Sequence, residues 1–543
     1  MVEVNIKNNL FWNKLHIDGT TVYIKGYTYT HSVDNILNAI ENLELEDVKS
    51  FINSLDGHFS IIVQKKEFVF MAVDKVCSSP IFFTTIKSDF YIDCDPARLV
   101  GNNGFKRRVR KDSFMELSMS GYTIGNKTIY KDLFFLKAGE LIVFKNDSFK
   151  RIQYYEYFKS IKYKKHDEYI EELTEVTLNI FRKMLRQIGD KQIIVPLSAG
   201  NDSRLVASIL KHLGANNVKC YSYGSIGNFE ANIAEVVSKK LGYEWIFIPL
   251  SHKSEKKYYA SKDYQKYLKF SETYYSVPYI QGLSAIKYLK DMNWIDEDAI
   301  FVNGNSGDFI SGGHISLLED PLYGHSNKEQ RKENLLSHLT EKHFSLWGYL
   351  KTEKNIKKIK EKLWHEMTLA CGENLQKQEE DHLFYEYSEF INRQSKYVIT
   401  GQRVYEFYKH EWRMPLWDDE YLYFWQKVPY EFKKNQKIYL DMLKEKNFGN
   451  VWGMDIPVNK KTITPNWIIP IRFLFKIPFG LFGKSGKRCW KQFDKSIFYY
   501  WMDVTHMMDI VNYLVVVRDF FKKPRHHLSW QSKIYLSNKI DTE

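Results

Sequence analysis

The hydrophobic and polar positions of the chain follow one pattern up to about residue 155 and another beyond it. In the first part, apolar and polar residues alternate with a period of two, which is typical of half-buried strands. The alternation predicts strands at 21–27, 59–63, 68–73, 121–130 and 139–144. Helical periodicity is confined to about 33–43 and 45–54. Residues 1–155 are therefore interpreted as a β-rich domain.

After residue 165, short apolar runs alternate with amphipathic stretches of helical period. Strands are expected at 192–197, 218–223 and 244–250, and helices at 167–188, 204–213 and 228–241. Because parallel strands are joined by crossover helices, this order predicts a doubly wound parallel sheet with helices on both faces. The stretch 320–445 is mostly helical in pattern, so an α/β domain with a helical extension is assigned to 165–465. Residues 466–543 are rich in aromatic and basic side chains and form a separate C-terminal extension.

Composition narrows the class of protein. The formal net charge of +12 favours anionic partners in general, although lysines interspersed with glutamates are also typical of solvated helix faces. Five cysteines without a CxxC pair indicate neither a disulfide framework nor a zinc site. The first residues lack the pattern of a signal peptide, and no run of about 18 apolar residues occurs, so we expect a cytoplasmic protein.

The most informative stretch is 195–204, VPLSAGNDSR, where an apolar strand runs into a loop of small residues and then into a helix. Ser198 and Gly200 allow the backbone to approach a ligand closely. The helix start at Asp202 and Ser203 presents N–H groups and the positive end of the helix dipole, which suits a pyrophosphate group. Asp202 also offers a carboxylate for Mg²⁺. The stretch is not a Walker loop, and its alternative interpretation is an ordinary capped helix.

A similar arrangement recurs at 300–313, IFVNGNSGDFISGG, where another buried strand ends in small residues and Asp308. Ligands of doubly wound sheets bind beyond the carboxyl ends of the strands. Two strands that each end in a small-residue loop with one aspartate therefore predict a site in which both loops bind Mg²⁺ and pyrophosphate. A glycine-rich turn is the alternative for this stretch alone.

These loops resemble those of asparagine synthetase, a member of the N-type ATP pyrophosphatases. SAGNDS is similar to the SGGxDS loop of these enzymes, and 304–313 is similar to their SGEGSDExFGG loop. Two further blocks agree. Residues 411–418 (EWRMPLWD) resemble ExRxPFLD, and residues 55–59 and 74–83 resemble the LxGxF and DxxGxxPLYY segments of the glutaminase-like domain. The resemblance implies an N-terminal Ntn-type sandwich and a C-terminal ATP-pyrophosphatase domain.

The resemblance implies ATP and Mg²⁺ as cofactors and assigns roles to individual residues. Asp202 and Asp308 are the implied magnesium ligands. The implied nucleotide contacts are Leu197, Ser198, Gly200, Asp202, Ser203, Tyr223, Gly224 and Gly304. The family also uses a late lysine to stabilise charge on the adenylated intermediate. Lys460 and Lys461 follow the ExRxP-like block at a suitable distance, and Lys461 is favoured, although a solvated lysine pair is the alternative.

Three departures from the family pattern limit what the resemblance implies. The chain begins Met1-Val2-Glu3, without the N-terminal cysteine of glutamine-hydrolysing members, so the first domain is expected to lack that activity. Asn305 stands where the family has a glutamate that helps to recognise the amino acid, so we expect free aspartate to be a poor substrate. Arg204 is expected either to reach a phosphate or carboxylate, or to face solvent.

Three functions follow as alternatives. The first is ATP-dependent amide formation, in which a carboxylate is adenylated and ammonia or an amine displaces AMP. Its acid would be a small molecule, a glycan or a peptide. The others are a tRNA-modifying ATP pyrophosphatase, which the glutaminase-like domain disfavours, and a non-catalytic nucleotide-binding relative. Residues 466–487 mix aromatic and basic side chains, which suits an interfacial segment on an anionic membrane, a lid or a packed helix.

Overall fold

The computed structural model describes residues 1–6, 11–158, 162–319, 327–372, 378–458 and 464–540. Its N-terminal part contains ten strands: β1 Val2–Val4, β2 Trp12–Ile17, β3 Thr20–Tyr27, β4 His58–Gln64, β5 Val69–Val73, β6 Phe82–Ile86, β7 Asp89–Asp93, β8 Leu133–Phe135, β9 Glu140–Lys145 and β10 Ser148–Gln153. Its helices are α1 Val33–Glu41, α2 Val48–Ser54, α3 Pro96–Val100 and α4 Lys111–Ser120.

These strands form two sheets that face each other. The order is β10-β9-β5-β4-β3-β2 in the six-stranded sheet and β1-β7-β6-β8 in the four-stranded sheet. Aromatic rings fill the space between them. The ring of Phe144 lies 5.9 Å from that of Phe83 and 5.0 Å from that of Phe90. The expected β-rich sandwich is therefore confirmed.

Two expectations for this domain are wrong. Residues 121–130 form turns and isolated bridges instead of a strand. Their backbone pairs with the other domain, since the N–H groups of Thr123 and Ile129 donate to the carbonyls of Tyr275 and Tyr274. The helix α4 was not expected, because it buries polar residues such as Glu116 and so lacks a simple apolar stripe.

The C-terminal part is built on a five-stranded sheet and a set of helices. The strands are β11 Ile193–Pro196, β12 Val218–Gly224, β13 Glu244–Pro249, β14 Ile300–Val302 and β15 Glu411–Arg413. The helices are α5 His166–Ile188, α6 Asn201–His212, α7 Phe229–Leu241, α8 His252–Tyr259, α9 Lys262–Phe270, α10 Leu283–Asp291, α11 Gly307–Ile310, α12 Lys328–His343, α13 Glu353–Cys371, α14 Asp381–Glu389, α15 Arg403–Phe407, α16 Asp419–Trp425, α17 Tyr430–Lys433 and α18 Lys437–Lys446.

The strand order β13-β12-β11-β14-β15 is that of a doubly wound sheet, and every neighbouring pair is parallel. β11 is buried along Ile193–Val195, which is why it is uniformly apolar in sequence. α7 begins where the Asn228 side chain accepts from the N–H of Ala231 and ends at Gly242, whose positive φ suits glycine. The direction of winding changes between β11 and β14, which places the topological switch point there.

The C-terminal extension consists of α19 Ile468–Gly480, α20 Gly483–Ile497, α21 Tyr499–Met502, α22 Tyr513–Arg518 and α23 His527–Ile540. Its middle part docks on the end of β12, where the N–H of Ser225 donates to the Val504 carbonyl over 2.8 Å. His252 of α8 lies 2.8 Å from the buried carboxylate of Asp509, and His506 lies 3.4 Å from it. Although burial opposes it, hydrogen bonds from the two histidines lower the pKa of Asp509 to about 2.

Buried ion pairs join the two main domains. Lys75 lies 2.7 Å from Asp419, and Lys25 lies 2.8 Å from Glu406. These four side chains are at most one-tenth exposed. Removing one partner of such a pair leaves a buried charge uncompensated, so the pairs fix how the domains meet.

Candidate nucleotide site at the switch point

A cavity of about 630 Å³ opens at the carboxyl ends of β11, β12 and β14. Both small-residue loops that the sequence singles out contribute to its wall. The expected site residues that line it are Leu197, Ser198, Gly200, Asp202, Ser203, Tyr223, Gly304, Asn305 and Asp308. The structure therefore brings the two loops, about 100 residues apart in the chain, to one cavity.

The first loop is held in shape by its own two hydroxyl groups. The N–H of Ser198 donates to the Ser203 hydroxyl over 3.0 Å, and the N–H of Gly200 donates to the Ser198 hydroxyl over 3.1 Å. α6 begins at Asn201, earlier than expected, so Asp202 and Ser203 lie in its first turn. N–H groups in a first helical turn have no partner within the helix, and they favour an anionic ligand.

Asp202 fastens the second loop to the first. One oxygen of its carboxylate accepts from the N–H of Asp308 over 2.9 Å, and the other accepts from the Tyr439 hydroxyl over 2.9 Å. The second loop can approach this closely because it carries glycines. A Cβ atom at Gly304 would lie 2.6 Å from the backbone of Asp202, and one at Gly307 would lie 2.6 Å from its carboxyl carbon. The two strand ends therefore converge, with both aspartates on one cavity.

A buried polar network lies behind Asp308. The two ring nitrogens of His314 lie 3.3 Å from the carboxylate of Asp308 and 2.7 Å from that of Glu389. Partial desolvation in the cavity wall alone would raise the pKa of Asp308, but the hydrogen bond and charge of His314 hold it below its ordinary value. Glu389 also contacts His343, and despite its burial the two histidines hold its pKa well below the ordinary range. Asp308 is thereby kept as a carboxylate, the form that binds a divalent cation.

Arg204 has a different place from either one expected. It is fully buried, and its guanidinium donates to the carbonyls of Ala199, Val451, Ile456 and Pro457 over 2.9–3.1 Å. It therefore neither faces solvent nor lines the cavity. Because its partners lie in the first loop and in 451–457, Arg204 joins the loop to the segment that precedes the lysine candidates.

Two of the remaining expectations concern the lysine pair and Gly224. Lys460 and Lys461 lie outside the described residues, and the chain before them is described up to Val458, which lines the cavity. Gly224 is not part of the cavity wall. A Cβ atom there would lie 2.7 Å from the Val504 carbonyl, so its closest neighbour is the C-terminal extension.

Sequence analysis missed several residues of the cavity. Arg393 lies on a π-helical segment, Phe390–Val398, and lines the cavity with Gln436. On the same segment, Gln394 accepts from the Ser306 hydroxyl over 2.9 Å. π-helical turns are frequent at functional sites. The signal in the sequence was the polar run NRQSK inside an otherwise apolar helix.

Asp74, in the N-terminal motif, has partners within the protein. The carboxylate of Asp74 accepts from the N–H groups of Phe59, Val76 and Ser78. Burial raises the pKa of the Cys77 thiol well above its usual range, which opposes formation of a nucleophilic thiolate. Cys94, the other cysteine in residues 1–6 and 11–158, is also buried.

Comparison with protein-family models matches both halves of the chain. The model described as glutamine amidotransferase domain matches residues 26–155, and the model described as asparagine synthase matches residues 183–446. The chain belongs to the asparagine synthetase family. No curated protein is similar enough to this family member to count as a match.

Two solved structures are similar to part of this chain. The glutamine phosphoribosylpyrophosphate amidotransferase from B. subtilis, complexed with ADP and GMP, is 8% identical, with 55% of this chain and 64% of that chain covered and a TM-score of 0.20. A structure titled as the allosteric regulatory enzyme of purine biosynthesis is 11% identical, with coverage of 43% and 61% and a TM-score of 0.18. The chain thus spans less than two thirds of either protein.

Proposed function

We propose that this protein forms an amide bond at the expense of ATP, by adenylating a carboxylate and transferring the acyl group to ammonia or an amine. The observation that carries the proposal is the contact between the two strand ends. The Asp202 carboxylate accepts from the N–H of Asp308, and both residues line one cavity beside the first turn of α6. A polyphosphate with its cation is a ligand that suits both features.

The residues present fit ATP and Mg²⁺. The second loop presents backbone to the cavity at Gly304, and Cβ atoms at Gly304 and Gly307 would collide with Asp202. Asp202 and Asp308 would hold Mg²⁺, whose charge offsets that of the phosphates. The N–H groups of the first loop and α6 would orient the triphosphate, and Tyr223 would flank the nucleoside. Arg393 adds a cation to the same wall, where it would face a phosphate or the acid.

The proposed reaction has two steps. An oxygen of the substrate carboxylate attacks the α-phosphorus of ATP, the bond to the β-phosphate oxygen breaks, and pyrophosphate leaves. The nitrogen of ammonia or an amine attacks the acyl carbon, AMP leaves, and the nitrogen loses a proton. Negative charge grows in both steps, and Lys461 or Lys460 is proposed to offset it. Asn305 on the cavity wall is proposed to contact the acid, which disfavours free aspartate.

Product analysis tests this proposal. The full chain is incubated with Mg²⁺, ATP and ammonia against a panel of amino acids, uronic acids and peptides. Pyrophosphate and AMP are expected in equal amounts with the correct acid, and little of either with aspartate. Formation of ADP and phosphate would contradict the adenylation step. Nucleotide binding without turnover on any acid or RNA would favour the non-catalytic relative, and turnover that requires tRNA would favour the RNA-modifying alternative.

A further inference from the structure

The C-terminal hairpin, residues 467–498, is a defined structural unit. The ring of Phe475 lies 5.8 Å from that of Phe493, and the ring of Phe479 lies 5.6 Å from that of Trp490. Arg472 on α19 makes two bonds of 2.7 Å to the carboxylate of Asp494 on α20. These contacts hold α19 and α20 against each other.

The hairpin exposes far more apolar surface than an ordinary helix. Nine of the 25 exposed large apolar residues in the described parts of the chain lie within residues 467–482. They are Trp467, Ile469, Ile471, Phe473, Leu474, Phe475, Ile477, Leu481 and Phe482. A helix at the surface of a soluble protein has one apolar stripe that faces the core, and large exposed apolar patches mark interaction sites. Because α19 is exposed on nearly all of its apolar residues, this patch needs a covering partner.

The charge of the hairpin identifies the chemistry of that partner. Its 32 residues carry seven Lys or Arg and one Asp, a net charge of +6 and half of the +12 of the whole chain. Lys476, Lys484, Lys487, Arg488 and Lys491 are exposed. Apolar and aromatic side chains next to such a basic cluster match the interface of a bilayer that contains anionic lipid.

The length of the helices defines how the hairpin can bind. α19 has 13 residues, so it extends about 20 Å, well short of the ~30 Å hydrocarbon core of a bilayer. No helix in the described parts of the chain is long and apolar enough to cross a membrane. We propose that the C-terminal hairpin lies in the interface of an anionic lipid bilayer and anchors the protein there, with its apolar side chains inserted and its lysines at the headgroups.

The hairpin is connected on both sides to the nucleotide cavity. Val458 lines the cavity before it, and Val504 and Thr505 line the cavity after it. Val504 is further held by the N–H of Ser225 at the end of β12. The hairpin is therefore flanked in the chain by residues of the cavity wall.

Vesicle cosedimentation of the full chain tests the anchor. Binding to vesicles of phosphatidylcholine with phosphatidylglycerol is expected to be at least ~10-fold tighter than to phosphatidylcholine alone and to weaken with salt. Leu481→Ser with Phe482→Ser is expected to weaken binding by ~10-fold or more. The matched control is Leu369→Ser with Met454→Ser, two residues of similar exposure outside the hairpin, which should bind like the wild type.

A charge variant separates the two contributions. Lys484→Glu with Lys487→Glu is expected to remove most of the preference for phosphatidylglycerol. Failure of the wild type to bind vesicles, or equal binding by the wild type and the Leu481→Ser/Phe482→Ser variant, would overturn the proposal. The proposal would also be overturned if the wild type formed a dimer, bound no vesicles, and became monomeric with Leu481→Ser/Phe482→Ser. A second copy of the chain would then cover the patch. Unchanged thermal unfolding of each variant checks that the fold is intact.

Discussion

The two family-matched halves of the chain use their motif residues in opposite ways. In the N-terminal half, Asp74 accepts hydrogen bonds from β4 and from its own loop, and Lys75 is buried against Asp419, so both side chains have structural partners. In the C-terminal half, Asp202 and Asp308 lie together on the wall of a cavity. A family match therefore covers both halves, whereas the surroundings of each motif distinguish side chains with structural partners from side chains that line a cavity.

The largest expected effect concerns the cavity. Asp308→Asn is expected to lower the rate of pyrophosphate release by about 10³-fold, because it removes a proposed cation ligand. The side chain of Asp308 is 58% exposed, so the fold should tolerate the change. Asp263→Asn, on the surface helix α9, is the control with no expected effect. Equal rates for both variants would contradict the role of Asp308 and remove the contrast between the two halves.

A smaller effect is expected at the domain interface. Lys75→Met leaves the buried Asp419 without its cation and is expected to lower the free energy of unfolding by ~3 kcal/mol. Lys239→Met, which breaks an exposed ion pair within α7, should cost ~0.5 kcal/mol or less. Chemical denaturation measures both. Adding Asp419→Leu to Lys75→Met should recover part of the loss, and a loss that stays unchanged in the double variant would contradict the charge argument.

A third prediction concerns pH. Burial raises the pKa of Asp418 to about 7, whereas the same group titrates near 4 in the unfolded chain. Between these values the folded state retains a proton that the unfolded state has lost, so this group destabilises the fold as pH rises. Asp418→Asn removes the effect. The difference in free energy of unfolding, variant minus wild type, is expected to increase by about 1 kcal/mol for each pH unit from pH 5 to pH 7.

Denaturation of both proteins at several pH values gives this difference directly. A difference that does not depend on pH would show that Asp418 titrates normally. The side chain of Asn can still cap α16 as Asp418 does through the N–H of Glu420, so loss of the cap should not mask the result.

The last prediction is that substitution of Cys77 has no effect on activity. Cys77 is buried and its pKa is raised, so neither the wild type nor Cys77→Ser is expected to release ammonia from glutamine. Turnover with added ammonia should be equal in the two proteins. Glutamine hydrolysis that Cys77→Ser abolishes would mean that the N-terminal half is also a reaction site, and the comparison between the halves would fail.

Sequence reasoning succeeded where the determinants are local. The apolar runs of β11, β12 and β13 and the small residues after β11 and β14 are enough to predict a parallel sheet, with the two loops meeting at its carboxyl edge. Sequence reasoning failed where the surroundings of a residue are formed by segments far away in the chain. The helix periodicity around Arg204 gives no sign that residues 451–457 cover it, and nothing near Asp308 indicates that Glu389 lies behind it. Residues 121–130 mislead for the same reason, because their partners are Tyr274 and Tyr275.

The four carbonyls held by Arg204 have a consequence for local unfolding. Ala199 belongs to the first small-residue loop, after β11, whereas Val451, Ile456 and Pro457 belong to a segment about 250 residues further along the chain. If either stretch moves away, N–H groups of the buried guanidinium lose their hydrogen-bond acceptors, which costs free energy. Amide hydrogens in both stretches should therefore exchange with solvent as one cooperative unit, with a shared opening free energy.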